Sequence, residues 1–126
     1  MAVGEMKYAE IKSVMDTMTD DLMRLEYVME IGHQNSLTLI NTACTEISGC
    51  ASRVIICKDK NGFYGDADSV LVRGLVWIII AMKNDGIKNL SDEFNSLKLN
   101  LGTGRINGVS SVINFLENYD IMGANE

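Results

Sequence analysis

The chain has 126 residues, the length of a single domain that can bury its own core without staples. Its net charge of −6, from 11 basic and 17 acidic side chains, argues against a general nucleic-acid binder, which relies on clustered Lys and Arg. The longest uncharged run, residues 74–82, is too short to cross a membrane, and residues 1–12 lack a signal-peptide core. We therefore expect one cytoplasmic domain over residues 1–126, whose odd number of cysteines indicates reduced thiols.

Apolar residues at helical spacing predict two helices in the first third of the chain. The first helix has its apolar face at i, i+3, i+4 and i+7, formed by Ile11, Val14, Met15 and Met18. The second helix is expected to be capped by Thr19, with Asp20 and Asp21 at its positive end, and to stop at Gly32. Its predicted apolar side consists of Leu22, Leu25, Val28 and Met29. Residues 33–42 are polar and irregular and predict a loop.

Three short strands are predicted next, with the sequences ACTEIS, RVIICK and FYGD at residues 43–48, 53–58 and 63–66. The first two strands are joined by GCAS, residues 49–52, which places Cys50 on a connection rather than inside a strand. Asn61-Gly62 indicates a tight hairpin turn between the second and third strands, because both residues tolerate positive φ angles.

Helices are predicted in the rest of the chain. Residues 66–86 are ambiguous between strand and helix, but their length favours a buried central helix capped by Asp68 or Ser69. A last helix starts near Gly104 or Arg105 and has an apolar face formed by Val109, Val112, Ile113 and Leu116. Because the strands are grouped without alternating helices, we predict an α+β fold with a small three-stranded antiparallel sheet covered by helices on one face.

Few residues are candidates for chemistry. The only histidine, His33, lies 17 positions before Cys50 in the predicted loop and is interpreted as a solvated side chain. Cys44, Cys50 and Cys57 are separated by 6 and 7 positions, whereas structural zinc sites use pairs two to four residues apart. Cys44 and Cys57 are interpreted as small core or edge residues of strands. A metal-binding scaffold that uses all three cysteines is kept as an alternative.

Cys50 has a different sequence environment from the other two cysteines. Gly49 before it permits a sharp turn, and Ala51 and Ser52 after it leave the sulfur uncrowded. From the residues alone, Cys50 is either a reactive thiol displayed on a turn or a structural cysteine.

Three motifs, in this order and at matching spacing, resemble the SufE-type sulfur-acceptor family of iron–sulfur cluster assembly. They are GCASRV at residues 49–54, GDADSVLVRGL at 65–75 and RING at 105–108, and the resemblance extends over residues 45–116. The family pattern is G-C-x-S-x-V, then G-D-x-D-x-x-x-V-x-G-L, then an Arg-x-Asn-Gly segment. The chain departs from it at Ala51 and Ile55, where the family usually has Gln and Trp, and it lacks the proline before the late arginine.

The resemblance implies a small antiparallel sheet packed against helices and a function in sulfur transfer. Cys50 would accept a sulfur atom from the persulfide of a pyridoxal-phosphate cysteine desulfurase, SufS-like, stimulate that enzyme, and pass the sulfur to a SufBCD-like cluster scaffold. The chain would be a covalent carrier rather than a stand-alone enzyme and would itself bind neither the pyridoxal cofactor nor a cluster. Partners of other classes, nucleic acid and membrane, are not expected, and the chain would be a monomer or a homodimer.

The same resemblance marks candidate binding residues around Cys50, namely Gly49, Ser52, Arg53, Asp66, Asp68, Arg105 and Asn107. Arg105 would favour an anionic sulfur if it lies close to Cys50; it is equally interpreted as a surface residue or as a partner of Asp66 or Asp68. Asp68 is expected to be a helix cap and Asp66 a turn former. A further alternative is a module that only binds or regulates a desulfurase, which the departures at Ala51 and Ile55 keep open.

Overall fold

The computed structural model describes residues 7–35, 43–50 and 52–123. Its elements are α1 (Tyr8–Asp16), α2 (Asp21–Gln34), β1 (Ala43–Glu46), β2 (Val54–Asp59), β3 (Gly62–Ala67), α3 (Val70–Asn84), α4 (Leu90–Asn95) and α5 (Thr103–Gly123). The predicted α+β class and the single three-stranded antiparallel sheet are confirmed. The short helix α4 was not predicted. His33 and Gln34, predicted to lie in a loop, belong to α2, whereas residues 36–42 and Ala51 lie outside the described residues.

The first helix is shorter than its sequence pattern predicts. Helix α1 buries Tyr8, Ile11 and Met15, whereas Met18 follows the end of the helix and Val14 is 37% exposed. Two hydrogen bonds from Tyr8 attach α1 to the rest of the molecule. Its backbone N–H donates to Asp85 at 2.6 Å, and its hydroxyl donates to Glu93 at 2.7 Å. These bonds attach the start of α1 to the end of α3 and to α4.

Three details of α2 differ from the prediction. The N-cap is Asp20 rather than Thr19, since its carboxylate accepts the N–H of Leu22 at 2.8 Å. Leu22 and Met29 are 62% and 40% exposed, so the buried face is rotated away from them. Gly32 does not end the helix but lies inside it, where an added Cβ would be 2.1 Å from the carbonyl oxygen of Val70. Its role is to allow close contact between α2 and α3.

The sheet has the strand order β1-β2-β3, and both pairs are antiparallel. Val54 pairs with Ala67 at one end of the β2–β3 hairpin and Asp59 pairs with Gly62 at the other. The predicted hairpin turn is confirmed, although only Gly62, with φ 130°, has a positive φ there. Helix α3 packs on β3 and is buried almost all round from Gly74 to Met82. The predicted buried central helix is thus confirmed, and it is capped by Ser69 rather than Asp68.

Cys44 and Cys57 form a disulfide between β1 and β2, which corrects the expectation of reduced thiols. The two residues are direct partners in the antiparallel register, with the side chains of such a pair on the same face of the sheet. Cys44 is exposed and Cys57 is buried. The spacing of 13 residues does not reveal this pairing, because the register depends on where the chain turns between the strands.

Candidate functional site

Cys50 lies on the connection from β1 to β2, as the sequence predicts, and it is the free cysteine of the described residues. Gly49 before it has φ +90°, a backbone conformation that favours glycine. An added Cβ on Gly49 would lie 2.6 Å from the hydroxyl oxygen of Ser111 on α5. The turn is therefore held close to α5, and the position of Cys50 follows from that contact.

The thiol of Cys50 is half-buried against the first turns of α5. Its S–H donates to the carbonyl oxygen of Gly108 at 3.6 Å, a weak hydrogen bond. A Cβ added to Gly108 would lie 3.6 Å from the sulfur, so the absence of a side chain at Gly108 leaves room for the sulfur. Burial raises the pKa of the Cys50 thiol above its ordinary value. Burial therefore favours the neutral thiol of Cys50 over the thiolate.

A cavity of about 350 Å³ opens beside Cys50. Its walls are apolar side chains from β2, α3 and α5, which are Val54, Val72, Leu75, Val76, Ile79, Val109 and Val112. Polar groups in the lining come from Ser52, Ser69 and Arg105. The site therefore combines one thiol, an apolar chamber and a single cation, a setting in which a sulfur-bound group can be kept from water.

Two of the predicted binding residues line this cavity with Cys50, namely Ser52 and Arg105. Arg105 lies in the first turn of α5, as predicted, and is exposed. Gly49 shapes the turn without lining the cavity. Asn107 is exposed on α5 and outside the lining.

Two other predicted residues are engaged elsewhere. Arg53 is exposed and forms an ion pair with Glu46 at 3.1 Å. The carboxylate of Asp66 is held by Arg73, and the same guanidinium donates to the carbonyl oxygen of Ala67 at 3.1 Å. The expected alternative partner of Asp66, Arg105, is therefore replaced by Arg73, a residue of the second motif.

Asp68 does not cap α3. Its side chain is exposed, while its backbone N–H donates to the carbonyl oxygen of Arg53 at 3.1 Å and closes the end of the hairpin. Ser69 performs the capping and also lines the cavity. Gly108 is a site residue that the sequence did not single out, and Ser69 was considered only as a helix cap, although both belong to the quoted motifs.

The metal-scaffold alternative finds no support in this geometry. Cys44 and Cys57 are bonded to each other, so their sulfurs are not thiolate ligands in this state. Among the residues that the structure describes, no three His, Cys, Asp or Glu side chains are grouped to hold a metal ion.

The model of the SufE family, described as an Fe-S metabolism associated domain, matches residues 9–119. The chain belongs to the SufE family. No curated protein matches it. The family match includes α1 and α2, beyond the part where the three motifs lie, and it assigns this SufE chain to iron–sulfur metabolism. In the described ranges of the SufE chain, no helix has the length and apolar character needed to span a membrane.

Proposed function

We propose that this SufE protein accepts a sulfur atom on Cys50 from a cysteine desulfurase and carries it as a persulfide to an iron–sulfur cluster scaffold. The observation that carries the proposal is the position of Cys50, a cysteine outside the disulfide, on a glycine turn at an apolar cavity. The protein acts as a carrier and activator of the desulfurase in the cytoplasm, with no resident cofactor. The desulfurase partner is SufS-like and the receiving scaffold is SufBCD-like.

The transfer step needs one thiolate and no external oxidant. The Cys50 thiolate attacks the outer sulfur of the donor persulfide, a new sulfur–sulfur bond forms on Cys50, and the donor bond breaks. The donor cysteine leaves as a thiolate, and the transferred sulfur keeps its proton. Total oxidation state is unchanged, so Cys44 and Cys57 are not required.

Sulfur transfer and the environment of Cys50 in the free protein favour opposite protonation states of the thiol. Transfer requires a thiolate, whereas burial raises the pKa of Cys50 in the free protein. Docking of the desulfurase must therefore lower this pKa or move the sulfur out of its half-buried position. Arg105, which lines the same cavity, is the cation available to favour the anionic sulfur once it is exposed.

The test is intact-mass analysis after incubation with a desulfurase, cysteine and pyridoxal phosphate. We expect a gain of one sulfur that is lost on reduction, and site mapping should place it on Cys50. Cys50→Ser should abolish both the added sulfur and the stimulation of the desulfurase, because a serine hydroxyl cannot hold a persulfide. Cys44→Ala/Cys57→Ala is the matched control and should still gain one sulfur.

Two results would contradict the proposal. The first is added sulfur that persists in Cys50→Ser. The second is stimulation of the desulfurase by Cys50→Ser at the level of the unchanged protein, with no added sulfur in either, which would support a module that only binds and regulates.

A further inference from the structure

A second concave surface lies away from Cys50 and is lined by lysines. Four of the seven lysines of the chain, Lys58, Lys60, Lys83 and Lys88, line one groove of about 570 Å³, which we call the lysine groove. This concentration is notable because the chain as a whole carries a net charge of −6. Among the described residues that line the groove, Glu117 is the one with a carboxylate, so lysines outnumber acidic residues in the lining.

The lysine groove lies at the end of the β2–β3 hairpin opposite to Cys50. The groove is formed by the hairpin turn and by the chain that follows α3, whereas Cys50 precedes the start of β2. The six residues of β2 span about 17 Å between these two ends. A peptide segment bound in the lysine groove therefore does not need to contact Cys50.

Two structural contacts hold the groove in shape. The side-chain amide of Asn84 accepts the N–H of Phe63 at 2.9 Å and donates to its carbonyl oxygen at 3.1 Å, which ties the hairpin to the end of α3. The ammonium groups of Lys58 and Lys83 lie 4.8 and 6.0 Å from the centroid of the Phe63 ring. Charges from a strand and from a helix are thus brought together over one aromatic side chain.

Compensation of the α3 dipole explains only part of the lysine groove. Lys83, in the last turn of α3, and Lys88, beyond it, lie where a cation offsets the negative end of a helix dipole. Lys58 and Lys60 belong to β2 and to the hairpin turn, and the dipole does not account for them. Two carboxylates lie close to the lysine groove without lining it. Asp59 accepts the backbone N–H of Asn61 at 2.7 Å, and Asp85 accepts that of Tyr8 at 2.6 Å.

The lining indicates what kind of anion fits. Small-molecule pockets are mostly apolar and enclose their ligand, whereas this lining has four lysines, two asparagines and one glutamate among its twelve residues. Lysines are compact charges on flexible stems and lack the fork of arginine that matches a single phosphate in two-point contact. Separated point charges along an open groove suit a row of carboxylates on an extended chain.

We propose that the lysine groove is a docking site for an acidic segment of a partner protein. This site is separate from the sulfur-accepting turn, and its occupancy does not depend on Cys50.

The test is titration of the full-length protein with a hexaglutamate peptide, followed by backbone amide NMR. We expect shifts at residues 58–63 and 83–88 and an affinity that falls as salt is added. Lys60→Glu/Lys88→Glu, at two exposed positions, should weaken binding at least about tenfold, since two attractive contacts become repulsive. Lys98→Glu makes one such charge reversal outside the groove, against two in the double variant, and should bind as the unchanged protein does.

Three outcomes would overturn the proposal. They are the absence of shifts at the groove residues, equal peptide affinity of the double variant and Lys98→Glu, and binding of tripolyphosphate at the groove without binding of the peptide. Lys60→Gln/Lys88→Gln serves as a second variant with a smaller charge change and should give an intermediate loss of affinity. Sulfur transfer to Cys50 should be unchanged in both double variants, which separates this test from that of the proposed function.

Discussion

At the scale of single residues, the environment of Cys50 keeps its sulfur protonated and sheltered. The thiol donates to the carbonyl oxygen of Gly108, and burial raises its pKa. Reactive cysteines usually have the opposite shift, caused by nearby cations or helix N-termini. We infer that the free protein limits side reactions of Cys50 and that reactivity is switched on by the partner.

The alkylation rate of Cys50 by iodoacetamide should rise with pH and reach half its maximum at a higher pH than for an unburied thiol, because burial raises the pKa of Cys50. The sign follows from burial, which disfavours the charged thiolate. A peptide of residues 47–54 is the reference and should reach half-maximum at a lower pH. Coincident pH profiles for protein and peptide would show that the fold does not hold the thiol neutral.

The turn before Cys50 depends on glycine for two separate reasons, positive φ and lack of space. Gly86 has a similar φ of +84° but nothing within 4 Å of an added Cβ, so a substitution there measures the effect of positive φ alone. Gly86→Ala should cost about 1 kcal/mol and Gly49→Ala about 2 kcal/mol or more in unfolding free energy, measured by urea titration. Ser111→Ala in the Gly49→Ala background should recover the difference; equal losses in the two single variants would refute the contact.

At the scale of secondary-structure elements, the crossing of α2 and α3 relies on two glycines that face each other's helix. A Cβ on Gly32 would lie 2.1 Å from the carbonyl oxygen of Val70, and one on Gly74 would lie 1.9 Å from that of Val28. Real Cβ atoms do not approach backbone so closely, so the helices could not keep this distance with any other residue. The packing of α2 on the central helix therefore depends on these two positions.

Gly74→Ala should destabilise the protein by about 3 kcal/mol, because the helices must move apart along their buried contact. The matched control is Gly104→Ala in α5, where nothing lies within 4 Å of the added Cβ. There alanine should stabilise by about 0.5 kcal/mol through its higher helix propensity. Both values come from urea unfolding, and a Gly74→Ala protein as stable as the control would rule out the close crossing.

At the scale of the whole molecule, the disulfide links the edge strand β1 to β2 and flanks the segment that carries Cys50. Cys44 is exposed, so a reducing agent can reach its sulfur, whereas Cys57 is buried. Disulfides are rare in the reducing cytoplasm, the location expected from the sequence. The stability of this SufE protein should then depend on the redox state of its surroundings.

Reduction of the Cys44–Cys57 disulfide should lower the unfolding free energy by about 3 kcal/mol, since the bond closes a loop of 13 positions in the unfolded chain. Urea titration of Cys50→Ser with and without a phosphine reductant measures the effect while leaving only this pair of cysteines. Cys44→Ala/Cys57→Ala should show no response to the reductant. If Cys50→Ser is equally insensitive, the bond contributes nothing to stability.

The sequence alone determined the features that depend on local pattern. Segment length identified α3, apolar periodicity identified the face of α5, and the Asn-Gly pair identified the β2–β3 turn. Glycine before Cys50 placed the thiol on a connection, and three motifs in order indicated the SufE family before the family match assigned it. These features are readable because they are set by residues close together in the chain.

Only the tertiary structure decided which distant residues meet. The pairing of Cys44 with Cys57 depends on strand register, and the pairing of Asp66 with Arg73 depends on how β3 leads into α3. Gly32 faces α3 because of how α2 is rotated about its own axis. The exposed Leu22 shows that apolar periodicity predicted this rotation wrongly. Register and helix rotation are set by the best fit of whole surfaces in the core, a sum over many weak contacts that no short stretch of sequence contains.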